Sequence, residues 1–137
     1  ANIIPFAFRG ELFSGTHNFA NGGNSFKIAL YTSSASLDAT TTVYATSNEV
    51  SGTNYDSGGF TLTNKSPETT GTTAVCSFED AFWNSSSITA RGALIYNSSQ
   101  SNRAVCVLDF GIDKTSNPDF RIDFPAETAT GALIRFA

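Results

Sequence analysis

His17 is the only histidine in the chain, so a Ser-His-Asp or Cys-His centre would have to use it. It stands just after a stretch with helical spacing, where an imidazole ordinarily closes the helix end or bonds a turn. The two cysteines, Cys76 in VCSF and Cys106 in AVCVLDF, lie in apolar runs, where a thiol packs as a small hydrophobe. Their spacing fits neither a CxxC pair nor a zinc knuckle, and no GxSxG, GxxxxGKS/T or GxGxxG motif occurs. A disulfide between paired strands stays open on sequence grounds.

General acid–base chemistry needs paired carboxylates, and the candidates are Glu79/Asp80, Asp109/Asp113 and Asp119/Asp123. Each falls at a strand end or on alternate faces of a strand, where an acid meets water or an arginine. Asp113, Thr115, Asn117 and Asp119 offer oxygens at alternate positions, like the start of a calcium loop. The glycine and closing glutamate of such a loop are missing, and Asn117-Pro118-Asp119 is turn chemistry. Trp83, Tyr44, Tyr55 and Tyr96 could stack on a pyranose face, though core or interface packing accounts for Phe82-Trp83 more simply. Arg91, Arg103, Arg121 and Arg135 are scattered and suit ion pairs within the fold or across a subunit contact. No cofactor, no metal and no catalytic residue is expected.

The elements that must hold these groups are mostly strands. Ile4, Phe8 and Leu12 recur every four positions with Phe13 beside them, which predicts a short helix over 5–14, opened by Pro5 and closed by Gly15. Ser25–Tyr31 alternates as a half-buried strand. Residues 32–58 are the least regular part, with room for one helical turn near Asp38–Glu49. Strands are then expected at Phe60–Asn64, Thr72–Phe78, Ile88–Tyr96, Ala104–Phe110, Phe120–Phe124 and Gly131–Phe136. Ser66-Pro67-Glu68 would join the first two of these and Asn97–Asn102 would close a hairpin between the two central strands. TARGALIY at 89–96 is echoed by TATGALIR at 128–135, which two similar strands explain without a duplication.

At 137 residues the chain is the size of one domain. We assign 1–137 to a single β-sandwich, with residues 1–20 as an N-terminal helical contact segment. Twelve phenylalanines and only 15% charged residues, against about 25% in an average domain, favour strands. Eight basic against twelve acidic residues argue against nucleic-acid binding held by counterion release. No apolar run reaches the roughly 20 residues of a membrane helix. ANIIPFAFRG lacks the basic and apolar regions of a signal peptide. It reads as a mature chain that has lost its initiator Met, made with reduced thiols in a cytoplasm.

The stretch HNFANGGNSFKIALYTSSASLDATTTVYATSNEVSGTNYDSGGFTL, with ITARGALIYN, AVCVLDFG and the closing FPAETATGALIRFA, resembles small virion proteins of tailed bacteriophages. These are the head decoration, or cement, proteins encoded near the capsid genes. The resemblance implies a jelly-roll-like β-sandwich, often trimeric, seated outside an icosahedral shell on the major capsid protein, with no catalytic residues. The resemblance further implies a structural protein of the virion, made in the host cytoplasm. On this reading Phe6, Phe8, Leu12, Phe13, Leu94, Tyr96, Val105 and Val107 make subunit or shell contacts, because strands apolar on both faces exceed what one small core needs. The alternative is a receptor- or glycan-binding module of a tail or fibre, with aromatics exposed on loops 32–58 and 82–87. A ring-forming head–tail connector or tail-tube subunit comes third.

Overall fold

Pro5 starts the helix where its missing N–H costs nothing, and α1 runs over Phe6–Phe13. Its end is a Schellman turn: Thr16 N–H reaches Glu11 O (3.0 Å), Gly15 N–H reaches Leu12 O (3.2 Å), and Gly15 adopts φ +68°. The computed structural model describes residues 2–126, 128 and 130–136. After α1 it contains β1 (Phe26–Tyr31), β2 (Phe60–Thr61), β3 (Asn64–Thr70), β4 (Thr73–Phe78) and β5 (Ala81–Trp83). Then follow β6 (Thr89–Asn97), β7 (Arg103–Thr115), β8 (Phe120–Ile122) and β9 (Ile134–Phe136).

All strand pairings among the described residues are antiparallel. A four-stranded sheet has the order β2-β1-β6-β7, facing a three-stranded sheet β3-β4-β9 and the two-stranded ribbon β5-β8. The fold is therefore all-β and sandwich-like, with a short N-terminal helix. Alternation decides which side chains fill it. Phe26, Ile28 and Leu30 of β1 and Ala93 and Ile95 of β6 point at Cys76 and Phe78 of β4, Trp83 of β5, Phe120 of β8, Ile134 of β9 and Phe8 of α1. Each fully buried Phe, Ile or Leu here contributes about 1.5–3 kcal/mol. The intervening residues Ala29, Tyr31, Leu94, Tyr96, Ala104 and Val107 form a second cluster on the opposite face, under Ile3, Ala35, Leu37 and Tyr44.

A β-bulge adjusts this pattern. Ile95 pairs with Cys106 and Tyr96 with Ala104, leaving Val105 as the extra residue. Val105 and Cys106 consequently both join the main core.

Several boundaries differ from the sequence expectation. Ser66-Pro67-Glu68 is not a connection but part of β3, at a register shift between Lys65 and Glu68. Proline is tolerated there because β3 is an edge strand, and the turn comes later, at Gly71 with φ +62°. The β6–β7 hairpin forms as expected, but β7 continues to Thr115, so Asp113 and Thr115 of the segment considered as a calcium loop are strand residues. Ala81–Trp83, too short to show a period, is a strand. Residues 38–49 make turns rather than a helical turn, because the Asp38 carboxylate takes the Thr40 N–H (2.8 Å) and hydroxyl (2.6 Å). The segment 128–135 falls in a turn and the edge strand β9, unlike its echo in central β6; Ala129 of that echo and Glu127 beside it lie outside the described residues. No helix among the described residues is long and apolar enough to cross a membrane.

Candidate functional site

The residue types able to do chemistry gather at two places, and both are closed by their own hydrogen bonds. At the first, the Schellman turn carries His17 under the β6–β7 hairpin. Asn24 Oδ1 accepts the Asn18 backbone N–H (2.8 Å), which makes the Asn97 atom bonded to it (3.0 Å) the amide nitrogen. Asn97 Oδ1 in turn accepts the Ser99 N–H (3.1 Å). The fully buried Asn97 therefore donates to His17 Nδ1 (3.0 Å), and His17 Nε2–H donates to Glu11 Oε1 (2.8 Å). Arg103 completes the chain by bonding Glu11 Oε2 at 2.9 Å. With both ring nitrogens occupied, His17 has no lone pair left for a nucleophile. It fastens α1 and the 17–24 turn to the hairpin.

At the second place, Glu49 Oε1 accepts the Tyr44 (2.7 Å) and Ser57 (3.2 Å) hydroxyls, and Oε2 accepts the Tyr55 hydroxyl (2.6 Å) and Gly58 N–H (2.9 Å). Tyr96 donates to Gly58 O and Tyr31 to Ala45 O, each at 2.6 Å. Tyr44 stacks on Tyr96 with centroids 4.6 Å apart. Burial pushes the Tyr96 phenol up to about 12, and those of Tyr31 and Tyr55 higher still, with the Glu49 carboxylate adding to each. The tyrosines considered for sugar stacking are thus tied inward, and Trp83 is buried against Tyr55, Phe60 and Phe120.

The carboxylate pairs do not share protons. Asp109 accepts the Gly111 N–H (2.9 Å) and pairs with Arg91 (3.2 Å), which hold its carboxyl down at about 2. Asp80 and Asp123 both bind Arg121, and Asp119 accepts the Ser85 N–H at 2.8 Å. Asp113 lies exposed on β7. No group of three or more His, Cys, Asp or Glu residues among those described could hold a metal ion. Cys76 and Cys106 are buried thiols, and burial pushes Cys106 up to about 12.

The expected contact residues divide sharply. Phe6 and Phe13 are exposed, at 60% and 95%, and Leu12 is half-buried. Phe8, Leu94, Tyr96, Val105 and Val107 are instead buried within the chain and have no surface to offer a neighbour. The reason is the second cluster: residues 32–58, together with Ile3, cover the outer face of β6 and β7. Leu37 and Tyr44 stand out as apolar residues in a loop that otherwise reads as polar, but their spacing does not say which face they cover. Sequence reasoning missed Ile112 and Phe136, which are 67% and 57% exposed, while Phe82, weighed there beside Trp83, is 44% exposed. Between α1 and the three-stranded sheet runs an apolar groove of about 160 Å³, walled by Phe8, Leu12, Phe19, Val75 and Ile134 and ending at Phe136. Comparison of the chain with protein-family models, with curated proteins and with solved structures finds no match.

Proposed function

We propose that this chain is a structural protein of a virion, a decoration protein that attaches to the outside of an icosahedral phage head and reinforces the contacts between capsomers. The observation that carries this reading is the set of large apolar side chains left in water, Phe6, Phe13, Phe82, Ile112 and Phe136. They remain exposed on a chain that already covers both faces of its main sheet. Unburied phenylalanines of this number mark binding surfaces rather than leftover core. The sequence resemblance to decoration proteins supplies the partner, the major capsid protein, and the assembly, a homotrimer. A trimer on a three-fold axis uses one patch three times, so modest single contacts sum to firm attachment.

The test is addition of the purified chain to mature heads that lack it. Saturable binding that raises the temperature at which heads release their DNA is expected, and Phe136→Ser should weaken it. Heads that take up none of the protein would overturn the proposal.

A further inference from the structure

We infer that copies of this chain bind one another head to tail, the outer face of α1 on one copy seating against the β5–β8 ribbon of the next. This names the contact inside the homotrimer proposed above and rests on that reading for the number of copies alone.

The first surface is α1. Phe6, Arg9 and Phe13 stand three and four positions apart and share one side of the helix, opposite Phe8. Both phenylalanine rings are exposed. Gly10 lies between them, and a Cβ there would touch nothing within 4 Å, so a partner can approach the helix backbone closely. The Arg9 guanidinium lies 5.4 Å from the Phe6 centroid and donates to Ile4 O at 3.4 Å. It meets no carboxylate among the described residues. This is an aromatic face carrying one unmatched positive charge.

The second surface is the ribbon. Phe82 sits directly opposite Arg121 in the register, so the two share a face. Asp80, two residues before Phe82, and Asp123, two after Arg121, fall on that face by the period of the strand. Ala81, Trp83 and Phe120 point the other way, into the core. Arg121 must serve both Asp80 (2.9 Å) and Asp123. Two carboxylates on this face thus share the one guanidinium of Arg121, with Lys65 of β3 within electrostatic reach of Asp80. This is an aromatic face whose acids outnumber its own arginine.

Neither surface suits a second copy of itself. Two α1 faces would oppose Arg9 to Arg9, and two ribbons would oppose carboxylates. Joined to each other, they pair Arg9 with Asp123 and set Phe6 and Phe13 against Phe82. Such a contact is heterologous, and it closes into a ring when its rotation permits.

Sedimentation equilibrium of the full chain without heads tests this. The native protein should assemble; Arg9→Glu and Asp123→Lys, both on exposed side chains, should each weaken assembly at least about tenfold, as for a charge pair at a contact. The double variant should return to within about threefold of native, because the reversed pair again attracts. Circular dichroism confirms that each variant is folded. A native chain that stays monomeric at high concentration overturns the contact, while head binding, measured separately, still decides the decoration role. A native assembly that ignores the single reversals, or a double variant that is not rescued, overturns the contact and leaves the homotrimer standing.

Discussion

The two faces of the four-stranded sheet are built from alternate residues of the same strands, yet they are held by different forces. The inner face is a stack of rings: Phe19 lies parallel to Phe26 at 4.5 Å, and Phe78 meets both at 5.5–6.1 Å. The outer face is covered by irregular chain that lies down through tyrosine hydroxyls, two ladder contacts at Tyr31–Glu49 and Val43–Arg103, and the Glu49 carboxylate. A strand brings apolar area to its partner without further help, whereas a loop must first satisfy its own backbone groups. Polar fastenings therefore concentrate where regular structure is missing.

The largest effect should come from breaking the inner face. Phe26→Ala removes a fully buried ring and should cost about 3–5 kcal/mol in chemical denaturation. Alkali discriminates between the faces next. The folded phenols of Tyr31, Tyr55 and Tyr96 ionise well above the ordinary 10.0, so the unfolded chain loses its protons first. The stability they contribute is complete below pH 10 and falls by about 1.4 kcal/mol per pH unit for each phenol as pH rises from there towards their folded values. Absorbance at the phenolate band should stay low until the protein unfolds, and Tyr96→Phe should shallow the decline.

Glu49→Gln sharpens the outer face alone. Its amide nitrogen would confront donors that now point at a carboxylate, for an expected loss of about 1.5–3 kcal/mol with the ring stack of the core unchanged by near-ultraviolet dichroism. Phe13→Ser should move the stability of the dissociated subunit, measured at concentrations too low for assembly, by no more than about 0.5 kcal/mol, as at any exposed site. A thermal melt showing a larger drop would mean that the ring is packed after all.

The regular half of the molecule was legible because its signals are local. Alternation in FKIALY and the short polar link at 97–102 announce β1 and the hairpin directly, and the Pro5…Gly15 frame brackets α1 to within a residue. Pro67 misled because a proline in an edge strand looks like a turn until the sheet order is known. The outer layer was illegible for a different reason: no pattern in one sequence says that Leu37 and Tyr44 settle on Leu94 and Tyr96. Those strands consequently looked richer in apolar residues than one fold could use. Phe6 and Phe13 were named together with Phe8, which is buried, because the helix period marks an apolar stripe without saying which side of it faces out.

The clasp around His17 has a consequence for how the molecule comes into being. His17 and Asn97 are separated by 80 residues, and Glu11 and Arg103 by 92. The α1 segment thus lacks these anchors until the hairpin has left the ribosome. Such distant closures come late on a folding route, so lesions in the clasp should hasten unravelling far more than they delay assembly of the native state.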